Sequence, residues 1–108
     1  MTTKETFFEL CLSFPEVEQK PHFERTAFKV KGKRIFASYL ESENSANMFL
    51  PVLDQMTFSE YEGGNIYRVP NKWGDQGWTT FELDTVPEKL VLDALNTAYN
   101  HVVKPHKK

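Results

Sequence analysis

Residues 26–40, TAFKVKGKRIFASYL, constrain this chain more than any other stretch, because apolar residues recur at every second position on either side of a glycine. Period two marks a strand with one buried face, and two such runs around Gly32 read as an antiparallel hairpin. A Gly32-Lys33 turn gives glycine the positive φ that a two-residue connection requires. Val30 then faces Ile35 and Phe28 faces Ala37 on the core side, while Arg34, Phe36 and Ser38 alternate with them. The same register turns Lys29, Lys31 and Arg34 outward.

The flanking segments supply helices. Residues 4–14 carry Phe7, Leu10, Cys11 and Phe14 on one helical face, with Thr2 and Glu5 at capping-box spacing and Pro15 as the stop. Residues 16–24 (EVEQKPHFE) show no sustained period and contain Pro21, which reads as a connecting segment. Residues 47–50 add a short third strand, and Pro51 opens a helix through Ser59 with Val52, Leu53 and Met56 facing inward. After the Gly63-Gly64 break, strands are predicted at 65–69 and 78–83, joined by the loop PNKWGDQG. The last helix, 86–103, presents Val91, Ala94, Leu95, Ala98 and Val102 as its apolar stripe. Thr85 and Glu88 stand at capping-box spacing, Pro87 sits in the first turn, and Pro105 ends the helix before a frayed HKK tail.

The order helix, three strands, helix, two strands, helix predicts a two-layer α+β fold, an antiparallel five-stranded sheet covered by helices. One domain, 1–108, accounts for the whole chain at this length, and nine Phe, four Tyr and two Trp supply its core. No apolar run approaches the roughly 18 residues that cross a bilayer. The start, MTTKETFFEL, lacks a signal-peptide apolar stretch, so a cytoplasmic protein without membrane contact is expected. Cys11 is the one cysteine, which excludes an intrachain disulfide and suits a small buried side chain.

A net charge of −2 gives no global footprint for nucleic acid. The local distribution is uneven: residues 26–40 hold Lys29, Lys31, Lys33 and Arg34 without an acid, and residues 41–62 hold five acids without Lys or Arg. Those four cations are the candidate phosphate contacts, joined by Arg68 and Lys72 if the two hairpins lie side by side. A lysine-bearing outer face is also how ordinary sheets stay soluble, so this reading has a plain structural rival.

The loop NKWGDQGW gathers two tryptophans and two glycines at a hairpin tip. Trp73 there can stack on a ligand ring, a base or a partner side chain, or fold back over the sheet, and Trp78 reads first as core. His22 and Arg25, beside Glu24, offer the chain's one cluster with acid–base character, either as a pocket near that loop or as a structural hydrogen bond. No nucleophile motif accompanies them, and no catalytic residue is assigned. His101 and His106 lack ligand spacing and no glycine-rich loop precedes a helix, so neither metal nor cofactor is expected.

Taken in order, the early aromatic helix, FPEVEQKPHFERTAFKVKGKRIFASY, FSEYEGG, PNKWGDQGWTTFEL and LVLDALNTAYNHVVKP resemble the MmcQ/YjbR family over roughly residues 7–105. The resemblance implies a two-layer domain of the kind grouped with type III secretion chaperones, with the element order read above. It also implies a DNA-binding label, which rests on likening the two hairpins to a double wing. Two functions follow as expectations. The first is a non-enzymatic binding protein that contacts DNA through the basic hairpin. The second is a protein- or small-molecule-binding module that uses the Trp73 loop and His22.

Overall fold

The computed structural model describes residues 1–104, and the expected Pro105 stop and HKK tail lie outside them. Its elements are α1 (Lys4–Leu12), β1 (Val17–His22), β2 (Arg25–Val30), β3 (Ile35–Leu40), β4 (Ser45–Phe49), α2 (Val52–Ser59), β5 (Ile66–Arg68), α3 (Lys72–Asp75), β6 (Trp78–Glu82) and α4 (Glu88–Val103). The strands form one sheet in the order β1-β2-β3-β4-β6-β5, with every neighbouring pair antiparallel. The α+β class and its hairpin connections are those read from the sequence. Among the described residues the strands number six rather than five, and a fourth, short helix occupies the tryptophan loop.

The additional strand is the stretch 16–24 that reads as a connection. Pro21 removes one backbone donor, which a central strand could not tolerate but an edge strand can. β1 lies at the edge and pairs with β2 along its whole length, from Val17 opposite Val30 to His22 opposite Arg25. The Lys31 N–H donates to the Glu16 carbonyl at 2.8 Å and extends that pairing by one residue.

The β2–β3 hairpin corrects the expected register near its turn. Phe28 does face Ala37, but Lys29, rather than Val30, faces Ile35, because the ladder slips between Phe28 and Lys29. The Lys33 N–H donates to the Val30 carbonyl at 2.8 Å, so the turn centres on Lys31-Gly32, with Gly32 at φ 73°. A bulge that adds a residue to one strand changes which side chains share a face. Phe36, expected to alternate outward, is therefore fully buried, with its ring edge-on to Phe14 and Tyr99 at 6.2 and 5.7 Å.

α1 and α4 cover one face of the sheet. Phe7 and Cys11 from α1 and the stripe Val91, Ala94, Leu95, Ala98 and Val102 from α4 meet Phe28, Ala37, Ala46, Met48 and Phe81 in one core. Burial pushes the Cys11 thiol up, as fits an inert packing residue. The helix caps differ from the expected boxes. The Thr3 hydroxyl, not Thr2, accepts from the Thr6 N–H, and α4 begins after Pro87, while the Thr85 hydroxyl donates to the Glu82 carbonyl.

α2 forms where expected but presents the opposite face. Val52, Leu53 and Met56 are exposed, and Gln55 is buried in their stead. The Gln55 side-chain amide donates to the Gly74 and Trp78 carbonyls at 2.9 and 3.1 Å, a second hydrogen bond for carbonyls that already accept from the Gly77 and Val69 N–H groups, and so ties the inner face of α2 to the tryptophan loop. No helix among the described residues is long and apolar enough to cross a membrane.

Candidate ligand-binding cleft

Residues directly opposite in an antiparallel ladder project to the same side of the sheet. Phe28, Ala37 and Met48 form one such row and point into the core. The row next to it, Ala27, Ser38, Asn47 and Thr80, therefore points to the other face, away from α1 and α4. Ala27, Ser38 and Asn47 floor a cleft of about 390 Å³, within the usual size of a small-molecule site. These small and polar residues carry no sequence motif. The signal available was the alternation of Arg25 and Ala27 with Thr26 and Phe28.

His22 and Arg25 stand at the end of the cleft formed by the β1–β2 turn. The Arg25 Nε donates to the Ser38 hydroxyl at 3.0 Å, whereas its Nη2 is buried with no hydrogen-bond acceptor among the described residues. Burial lowers the Arg25 pKa from its ordinary value. Glu24 and Glu43 act on it in the opposite sense through space, and neither closes an ion pair with it among the described residues. A guanidinium has five N–H donors and stays charged, so an under-partnered one is an anion receptor in waiting.

The turn itself, Phe23-Glu24, has no glycine or asparagine to mark it in the sequence. Phe23 has φ 59° and is 95% exposed, beside the His22 ring at 5.0 Å. A bulky side chain in left-handed backbone is strained, and here no burial offsets it. Phe23→Asn is expected to raise stability by about 1 kcal/mol, since asparagine tolerates this backbone. The urea midpoint measures it; a fall in stability would show that the phenyl ring packs after all.

The other end of the cleft is aromatic. Trp78 lies opposite Phe49, with ring centroids 5.3 Å apart, and the Arg34 guanidinium stands 4.2 Å over the Phe49 ring. Trp78 is half-buried, so it serves both the core edge and the cleft wall. Trp73 reaches the cleft from α3 and is 50% exposed. Its loop is braced three ways. The Asn71 side chain accepts from the Trp73 N–H, Gln55 ties down Gly74 and Trp78, and the Gly77 carbonyl accepts from the Leu50 N–H at 3.1 Å.

The structure thus brings together His22, Arg25, Trp73 and Trp78, with Val69 and Ile35 completing the apolar wall, and no Asp or Glu among the described residues lines the space. It treats the six basic candidates differently. Arg34 lines the cleft, Lys31 and Lys33 are exposed at the β2–β3 turn, and Lys29 lies opposite Glu18, which also pairs with Lys20 at 3.9 Å. Arg68 is ion-paired to Asp75, and Lys72 is exposed on α3. Among the described residues no group of three or more His, Cys, Asp or Glu side chains is placed to hold a metal ion.

Fold and cleft together define a class: a two-layer α+β domain whose sheet carries helices on one face and a cationic, aromatic cleft on the other. The chain belongs to the YjbR family, whose model matches residues 12–101. It is similar in structure to Deinococcus radiodurans protein DR2400, a DUF419 domain solved by crystallography. The TM-score is 0.82 at 22% identity, over 100% of this chain and 83% of that one, a likeness that speaks for the fold alone. A search of curated proteins finds no match.

Proposed function

We propose that this chain is a non-enzymatic binding protein that takes a small ligand into the cleft on the uncovered sheet face, rather than a DNA-binding protein acting through its basic hairpin. The observation that carries this reading is the cleft: about 390 Å³, walled by Trp73 and Trp78, with Arg25 and Arg34 lining it and no acid among the described residues. Concave space with apolar walls and a few convergent polar groups is what small ligands require. Duplex DNA instead requires a continuous cationic surface, because its affinity comes from phosphate neutralisation. Acids interrupt the candidate surface at Glu18 beside Lys29 and at Asp75 on Arg68.

The two readings separate in a low-salt titration with a fluorescent duplex. Only weak binding without saturation is expected, and Lys29, Lys31 and Lys33 changed together to Ala should leave ligand uptake in the cleft intact. Saturable, salt-sensitive duplex binding that those three substitutions remove would return the function to the hairpin.

A further inference from the structure

We infer that the ligand of this cleft is a flat aromatic molecule carrying one anionic group, carboxylate or phosphate, with the anion at Arg25 and the ring at the tryptophan end. The inference rests on the cleft reading and adds the chemistry of the occupant.

Three features set that chemistry. Arg25 keeps a buried Nη2 without an acceptor among the described residues, having spent Nε on Ser38. A half-buried cation with one nitrogen shielded and unpaired is stabilised when an anion or acceptor meets it, and among the described residues the cleft lining supplies no carboxylate. The groove beside Arg25 is therefore complementary to an anion, which a planar guanidinium binds with charge-assisted hydrogen bonds. His22 lines the same end and offers a further donor.

At the far end Trp73 and Trp78 offer indole faces, and Arg34 is held over the Phe49 ring. Indole and guanidinium planes favour flat, polarisable partners over branched aliphatic ones. Ala27, Ser38 and Asn47 between the two ends keep the floor low enough for a plate-like body to lie over β2, β3 and β4. A cationic ligand would meet two arginines and no acid among the described lining residues, and is disfavoured by like charge.

The probe is 2-naphthoate, compared with its neutral amide 2-naphthamide and with cyclohexanecarboxylate, followed by the two indole N–H signals in nitrogen-labelled protein. Trp73→Phe assigns those signals. Naphthoate is expected to shift both in a saturable way and to bind roughly tenfold or more tightly than the amide, the scale of one charge-assisted pair. Cyclohexanecarboxylate should bind more weakly than naphthoate. Arg25→Met should remove most of the preference for naphthoate over the amide.

Equal binding of acid and amide by the unaltered chain overturns the anion assignment and leaves the cleft reading standing; this arm needs no variant. Equal binding of naphthoate and cyclohexanecarboxylate overturns the aromatic assignment. If none of the three moves either indole signal, the cleft reading fails and the inference with it.

Discussion

Gly77→Ala is expected to cost more than about 3 kcal/mol of stability, the range reached when backbone strain and an unavoidable clash add. Gly77 has φ 117°, and a Cβ placed on it would sit 1.9 Å from the Leu50 carbonyl oxygen. That oxygen is backbone and cannot swing aside like the end of a side chain. Gly32 supplies the internal comparison. It also has positive φ, at 73°, but a Cβ there meets nothing within 4 Å, so Gly32→Ala should cost only about 1 kcal/mol. Urea denaturation of both variants measures the difference. Equal costs would mean that Leu50 and Gly77 are not in contact. The functional stake is that this contact fixes Trp78 beside Phe49, so partial relaxation of the backbone around the substituted glycine would also open the aromatic end of the cleft.

Phe28→Ala should be comparably severe, at about 3–5 kcal/mol, because it removes a buried ring and leaves a cavity that its neighbours cannot close. Phe28 is fully buried and edge-on to Phe7 and Phe8, at 5.9 and 5.0 Å. It joins α1 to β2, so its loss weakens the element that covers the core. For a chain of this size, thermal melting should fall by about 12 °C or more. A fall of only a degree or two would contradict the placement of α1 over β2.

The same strand shows what was legible in the sequence. Phe28 opposite Ala37 followed from period two alone, and the apolar stripe of α4 from its spacing, because both patterns repeat over enough residues to outvote local exceptions. Phe36 was not legible: one slipped pairing near the turn exchanges faces, and nothing in FKVKGKRIF marks where the slip falls. Pro21 concealed β1 because edge and central strands differ only in context that a single segment does not carry. In α2 Gln55 turns inward, where its amide bridges the Gly74 and Trp78 carbonyls, and Leu53 and Met56 fall on the outer face, a choice that the apolar spacing does not announce.

The cleft divides along similar lines. His22, Arg25, Trp73 and Trp78 drew notice by residue type, and the fold gathers them although the first pair and the second lie in opposite halves of the chain. Its floor, Ala27, Ser38 and Asn47, has no chemical signature and emerges only from the register of three strands. Nothing in EVEQKPHFE marks Phe23, whose positive φ and exposure belong to the turn.

The decisive measurement is a map of backbone amide signals in the labelled full chain, titrated separately with 2-naphthoate and with a short DNA duplex. Naphthoate should move Ala27, Ser38, Asn47 and the residues around Trp73 and Trp78 in a saturable way, while Lys31, Gly32 and Lys33 stay still with naphthoate and show no saturable movement with the duplex. Saturable movement of Lys31, Gly32 and Lys33 with the duplex, and an unmoved cleft with naphthoate, would contradict the binding function placed here.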